Sequence, residues 1–256
     1  MSGGVILFRK ELLESWRTMR LPVVAGLFLL VGLSSPLLAK FLPEIIAAAA
    51  GDQLGSIQIP TPVPADAADQ LSKNLAQFGA LAAIILAMGA VATEKDRGTA
   101  AFILSKTVSR GAFIGAKVAA IGAVLAVSVA LAVVVGWVYT AILFEPLPVG
   151  GWIAFAFLTW LGLAAWAALT FLGSTVTGSA AAAAGIGFVA LLVLSIAGAV
   201  PSLGRVLPSG LAGPALALAA GLPVDAVDVL AAVVVTSGII AAALGVSVWS
   251  FRRQEL

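Results

Sequence analysis

Six stretches of the chain are apolar from end to end: residues 22–41, 75–92, 118–144, 152–176, 180–200 and 229–251. Acidic and basic residues are almost absent from them. Lys40, one residue from the far end of the first stretch, is the exception. Each stretch is close to or above the ~20 residues that a helix needs to cross a bilayer. The alternating segments of a membrane barrel are not visible. Helices are then the remaining way to satisfy backbone N–H and C=O groups where there is no water. The pattern predicts an all-α integral membrane protein with six transmembrane helices. The first stretch is longer than the apolar part of a signal peptide and is expected to be retained. Pro36, after Ser34 and Ser35, is expected to kink it.

The segments between these stretches carry different patterns. In 4–20, Val5, Phe8, Leu12, Trp16 and Met19 fall within a helical arc of about 80°, and Lys10, Glu14 and Arg17 fall opposite. Ile6, Leu7 and Leu13 lie off the arc. This predicts an amphipathic helix lying in the membrane interface, with Trp16 at headgroup level and Arg17 and Arg20 within reach of anionic lipid. The stretch 201–228 holds Pro201, Pro208, Pro214 and Pro223. Only 14 residues lie between Pro208 and Pro223, too few to span. It is expected to form short extracytoplasmic helices, re-entrant or not, as 43–74 forms the other extracytoplasmic segment. The loop 93–117 is the most charged part of the chain. A charged turn ends at Gly98, a brief apolar helix follows at 99–104, and Ser105, Arg110 and Lys117 come after it. Phe102, Ile103 and Leu104 ask for a covering surface. Another protein and the chain's own helices or membrane interface are equally good candidates. Glu94 and Arg97 are placed to fix the loop by an ion pair or by contacts to a partner.

Composition sharpens this. Hydrophobic residues make up 61% of the 256 and charged residues 10%, against about 25% charged in soluble domains. The chain has no Cys and no His. Thiol chemistry, Cys/His metal sites and Ser-His hydrolysis are excluded with them. The apolar spans lack the buried charges of an ion relay. Positive charge sets the orientation. With the N-terminus inside, the cytoplasmic side holds Arg9, Lys10, Arg17, Arg20, Lys95, Arg97, Lys106, Arg110, Lys117, Arg252 and Arg253. The outer side holds only Lys40, Lys73 and Arg205. Both termini are therefore expected in the cytoplasm, with 1–21 as the interfacial helix, 22–251 as the membrane domain and 252–256 as a tail. The small residues Gly173, Gly178, Ala182, Gly185 and Gly187 are expected to permit close helix approach.

The loop carries a further pattern: Glu94, Arg97-Gly98-Thr99, Ile103-Leu104-Ser105, Ser109-Arg110 and Lys117. It resembles the E-x-x-x-G-T, hydrophobic-L-S and S-R-x-x-x-x-x-x-K run of the permease subunits of ABC-2 type transporters. Thr107 stands where that family often has Pro. As topology the resemblance covers the whole chain; as a residue pattern it covers 92–117. It implies an amphipathic connecting helix marked by Phe8, Leu12, Trp16 and Arg17. It also implies a coupling helix formed by Glu94, Arg97, Gly98, Thr99, Phe102, Ile103, Leu104, Ser105, Arg110 and Lys117. The partners it implies are an ATP-binding cassette ATPase subunit, a second permease copy or paralogue in a dimer, and the lipid bilayer. No nucleic acid partner and no cofactor are expected.

A phosphate-binding G-x-x-x-x-G-K-[ST] is missing, and the dipeptide Gly-Lys does not occur. ATP hydrolysis is therefore expected on another chain and not here. The expected function is that of a cell-membrane permease, an exporter. Two alternatives stand beside it. One is a non-transporting membrane scaffold or sensor subunit. The other is a secondary carrier, which inverted repeats would favour and which are not apparent.

Overall fold

The computed structural model describes residues 3–50, 61–104 and 109–254. Among the described residues there are helices and turns and no strand. Helix α1 (Gly3–Arg17) leads into α2 (Arg20–Ala50), α3 (Pro64–Met88), the short α4 (Ala92–Asp96) and α5 (Thr99–Leu104). Then follow α6 (Arg110–Leu143), α7 (Val149–Val176), α8 (Ala180–Gly198), α9 (Pro201–Gly204), α10 (Ala212–Ala219) and α11 (Ala226–Arg253). Six of these, α2, α3, α6, α7, α8 and α11, are long and apolar enough to cross a membrane. They are the six stretches read from the sequence, and the chain is a multi-pass membrane protein.

The helices outrun the apolar stretches at several ends. α2 continues to Ala50 and passes through both Pro36 and Pro43 without ending. Ser35 donates to the Val31 carbonyl at 2.7 Å, so the hydroxyl beside Pro36 is satisfied within the helix. The expected outer segment 43–74 is thus helical at both of its ends, with α2 entering it and α3 starting at Pro64. α6 begins at Arg110. Lys117, expected in the connecting loop, instead sits about two turns inside a spanning helix.

α7 is the central helix. It packs against α3, α6, α8, α10 and α11, while α2 packs between α3 and α6. Phe28, Leu71, Leu75, Phe113, Phe155 and Phe171 fill the core. Most buried hydroxyls in the spans turn back on their own helices, Thr236 being one without a partner among the described residues. Ser128, Thr140, Thr170 and Ser247 each donate to the carbonyl four residues earlier. That satisfies them without a partner helix. α8 is peripheral, with only Ala183 and Gly187 buried along it.

The proline-rich stretch after α8 forms the short elements that its spacing predicts: α9, a 3-10 turn at Pro208–Leu211, and α10. It does not extend beyond the bundle. Pro208 and Leu211 lie against Gly162, at the middle of α7, and Leu218 lies against Gly151 near the start of α7. The chain doubles back and runs along the N-terminal half of α7, buried on one side through Leu211, Ala215 and Ala219. Irregular backbone at this position is shielded by protein. Of the small residues expected to allow close approach, Gly173 meets Ala183 and Gly187 meets Thr170. Gly178 and Gly185 face open space instead.

Candidate functional site

One end of the bundle gathers α1, α4, α5, the start of α6 and the ends of α7 and α11. Here the charged face of α1 turns inward. Lys117 on α6 is 3% exposed. Its ammonium lies 3.1 Å from a Glu11 carboxylate oxygen and 2.8 Å from Glu94. Lys10 meets Glu11 at 3.0 Å, Glu14 at 2.9 Å and Glu94 at 3.5 Å. The Phe113 ring sits 5.0 Å from the Lys117 ammonium. A lysine taken out of water requires compensation by paired, hydrogen-bonded carboxylates, and this cluster supplies it from two other elements.

The carboxylates of Glu11, Glu14 and Glu94 have oxygens within 4.8 Å of one another. That spacing would suit a metal ion, but Lys10 and Lys117 already occupy the space between them and balance most of their charge. Burial pushes the Lys10 ammonium down. Hydrogen bonds to Glu14 and Glu11, and the charges of Glu11 and Glu94, outweigh it and raise Lys10 above its ordinary value. Burial pushes Glu14 up, but its hydrogen bond to Lys10 and the charges of Lys10, Lys117 and Arg20 hold it below the usual carboxylate value.

Of the two ways in which Glu94 and Arg97 could fix the loop, an ion pair with each other is not found among the described residues. Glu94 points to Lys117 and Lys10, whereas Arg97 is exposed and makes no ion pair among the described residues. Arg97 is three positions after Glu94, but α4 ends between them at Asp96.

Helix ends are tied to one another around this cluster. The Ser174 hydroxyl of α7 accepts from the Val91 and Ala92 amides, each at 3.0 Å, and so caps α4. Lys95 donates to the Thr175 and Thr177 carbonyls at the C-terminus of α7, each at 3.0 Å. Arg110 donates to the carbonyls of Phe251, Arg252 and Gln254 at the end of α11. In both cases a cation meets the negative end of a helix dipole. Gly98 has φ 68, the left-handed conformation that favours glycine after a helix. Its amide bonds to the Lys95 carbonyl at 3.0 Å, and the Thr99 hydroxyl donates to the Glu94 carbonyl at 3.2 Å. The Gly-Thr step is therefore a turn that reverses α4 into α5.

α5 carries Phe102, which is 67% exposed. A polar recess of about 410 Å³ lies beside it, lined by Lys10, Arg20, Glu94, Arg97 and Lys117 among others. Ile103 and Leu104 lie on the α5 backbone. Ser105 falls outside the described residues, as do the side chains of Ile103 and Leu104.

On α1, Trp16 is 61% exposed, as are Val5, Ile6, Leu13 and Met19 to lesser degrees. Phe8 and Leu12 are half-buried and Arg17 is exposed. Val5, Trp16 and Met19 of the apolar arc therefore turn outward, while Lys10, Glu11 and Glu14 of the charged face pack partly on the protein. Met19 adopts φ 61 between α1 and α2, which turns the chain between the two helices. Glu11 is the residue that the sequence analysis missed. Its signal was present: Lys10, Glu11 and Glu14 form one charged helical face opposite an apolar arc, with an excess of carboxylates.

Residues 5–217 match the description "ABC-2 family transporter protein". The chain is also similar to the "Uncharacterized transmembrane protein YxlG" of Bacillus subtilis (strain 168). The two are 29% identical over 203 residues, which cover 77% of each chain. The match spans nearly all of α1, the charged turn and five of the six long helices whole, and by it the chain belongs to the ABC-2 family of transporter proteins.

Proposed function

We propose that this chain is the membrane-spanning permease subunit of an ATP-binding cassette exporter, energised by a separate ATPase subunit. It acts in the cell membrane, with both termini in the cytoplasm, and pairs with a second permease copy or a paralogue. The observation that carries this reading is the corner at the start of α6. The projecting α4–α5 turn is bonded to α1 and α6 through Glu94, Lys10 and Lys117. It is bonded to α7 through Lys95 and Ser174. A push on α5 reaches three helices through short polar contacts. That is the mechanical arrangement a lever needs if a partner closes against it. Phe102 and the exposed Arg97 supply an aromatic anchor and a charge on the partner side, and Ile103 and Leu104 follow on the same short helix.

Arg110, read from the sequence as part of the docking loop, serves in this proposal to clamp α6 to α11. A charge reversal there disturbs the permease itself and does not test docking. The test therefore uses Phe102→Ala with Leu104→Ala. The permease is co-expressed with the ATPase encoded beside it and purified through a tag on one subunit. Co-purification and ATP hydrolysis are then measured. Each anchor removed from a well-packed interface costs about 1–3 kcal/mol, so co-purification and stimulated hydrolysis fall at least several-fold while the permease level holds. Unchanged values sink the coupling role of α5. Failure of any ATPase to co-purify with the unaltered chain favours the scaffold or sensor alternative.

A further inference from the structure

A large cavity lies away from the charged corner, between α6, α7 and α11. It is about 610 Å³, and its lining is almost wholly apolar, including Gly122, Ala126, Trp160, Phe171, Ala241 and Leu244. Trp160 is fixed as its back wall by a 3.0 Å hydrogen bond from its indole N–H to the Gly122 carbonyl. The cavity opens sideways, where Ala119, Ser237 and Ala241 are exposed. Toward the end of the bundle that holds the charged corner it is shut. There Phe113 and Phe251 stack at 5.4 Å, and Arg110 bonds across to the end of α11. A water-borne solute has no entry from that end, whereas the hydrocarbon of the bilayer does from the side.

Ser237, Ala241, Leu244, Val248 and Arg252 recur at helical spacing along one face of α11. From Ser237 to Arg252 this face is 15 residues, about 22 Å at 1.5 Å per residue. One leaflet, headgroup included, is about 20–22 Å of a bilayer of ~40–45 Å. At the end of that face stand Arg252 and Arg253. Both are exposed, and neither has an ion pair among the described residues. Arg253 stacks over the half-exposed Trp249 at 4.0 Å, an aromatic–cation pair suited to the headgroup level. An apolar slot lined on α11 by Ser237, Ala241 and Leu244 opens to the side. Beyond it the same helix face runs on to Arg252, with Arg253 beside it, neither ion-paired among the described residues. Together they match one kind of occupant.

We infer that this groove is a binding site for an anionic glycerophospholipid of the adjacent leaflet. One acyl chain lies in the slot against Trp160, and the headgroup phosphate is held at Arg252 and Arg253. The site depends on membrane embedding and not on ATP-driven transport, so it stands or falls separately from the function proposed above. Its effect is to fill the thinly packed seam between α6 and α11, where the two helices meet mainly near their ends at the charged corner.

The test uses the full chain in vesicles of phosphatidylcholine with phosphatidylglycerol, either lipid being brominated on its acyl chains. A variant retaining Trp160 as its single tryptophan reports quenching. Brominated phosphatidylglycerol should quench Trp160 at mole fractions where brominated phosphatidylcholine does not, with a preference of about five-fold or more, the effect of about one headgroup arginine. Arg252→Gln with Arg253→Gln should bring the two lipids to parity, and Ala241→Leu should remove the saturable quenching. If the single-tryptophan variant does not fold, mass spectrometry of the intact purified chain substitutes. It should find phosphatidylglycerol retained by the unaltered protein and lost from the double arginine variant. Equal quenching or retention of the two lipids, or no effect of Ala241→Leu, overturns the site. So does cross-linking of a cysteine at Ala241 to a second copy, which would assign the groove to a helix of another chain.

Discussion

The two ends of the bundle are held by opposite means. At the end carrying α1 and the α4–α5 turn, five charged side chains from three elements share one cluster, and cations cap the ends of α7 and α11. Elsewhere, the folded-back stretch 201–219 is held by close packing on glycines of α7: the Pro208 carbonyl and the Leu211 side chain on Gly162, and the Leu218 carbonyl on Gly151. Its one basic residue, Arg205, is exposed and makes no ion pair among the described residues. Charge clusters are directional, and losing one member leaves the others exposed to the cost of burial. Close packing of small residues has no such partner dependence and fails only when volume is added. The first end is therefore suited to convey a displacement with fixed geometry, and the second to hold a short irregular segment in place.

The largest break in this comparison comes from Lys117. Lys117→Ala leaves Glu11 and Glu94 facing each other in a largely buried place with Lys10 alone to balance them. Removing one partner of a buried charge group costs about 3–5 kcal/mol. The expected outcome is a strong drop in the thermal midpoint of the purified chain, or failure to accumulate. The triple change Lys117→Met, Glu11→Gln, Glu94→Gln should recover most of it, because a neutral cluster has no orphaned charge. Arg205→Gln, at the other end, should leave the midpoint where it is. If the triple variant is no better than Lys117→Ala, packing and not charge governs this corner.

A smaller break comes from adding volume at the far end. A Cβ on Gly151 collides with the Leu218 carbonyl oxygen, backbone that cannot swing aside as a side chain would. Gly151→Ala should cost about 1–3 kcal/mol as overpacking. The loss should be the same at low and high salt, since no charge is involved. The same substitution at Gly185, which faces open space, should be tolerated. A loss at Gly151 that salt alters, or a comparable loss at Gly185, would erase the distinction between the two ends.

The spans were legible because lipid replaces polar surface over lengths of ~20 residues, and that signal survives without knowledge of tertiary contacts. The folded-back stretch was legible as short helices because prolines bound it. Its position beside α7 was not, since nothing local in Pro208 or Leu211 reports that Gly162 leaves room for them. The Gly98-Thr99 turn was visible as a pattern, and its φ gives the pattern a cause. The ion-pair partners of Glu94 were not legible, for a related reason. Glu94 and Arg97 are neighbours in sequence, whereas Lys117 lies 23 positions on and Glu11 lies on another helix, so only the packing of α1 on α6 brings them together. The amphipathic arc of α1 was correctly seen as a face, but an arc alone does not say whether its charged side meets water or protein.

The smallest effect expected is a pH dependence confined to the charged end. Glu14 is held below its ordinary value, so its contribution to stability is fully present above the unfolded carboxylate value of about 4.3 and is lost as pH falls through the folded value. Lys10 is held above its ordinary value, so its contribution is present below about 10.4 and is lost only as pH rises through a value higher than that. Between about pH 5 and pH 10 neither group changes charge, and the contribution of this pair is flat. Lys10 is 42% exposed and Glu14 37% exposed, so solvent screens them and the pair is worth only a few tenths of a kcal/mol. The measurement is the thermal midpoint of the unaltered chain and of Glu14→Gln at several pH values. The gap between the two should be constant from about pH 5 to 9 and should close below about pH 4, where the carboxylate of the unaltered chain takes up its proton. Gly151→Ala should show no such closing, because the far end has no titrating partner at that contact. A Glu14→Gln gap that stays as wide at pH 3 as at pH 7 would mean that the side chain acts through its shape and hydrogen bonding alone, and the charged end would lose one of the terms that set it apart.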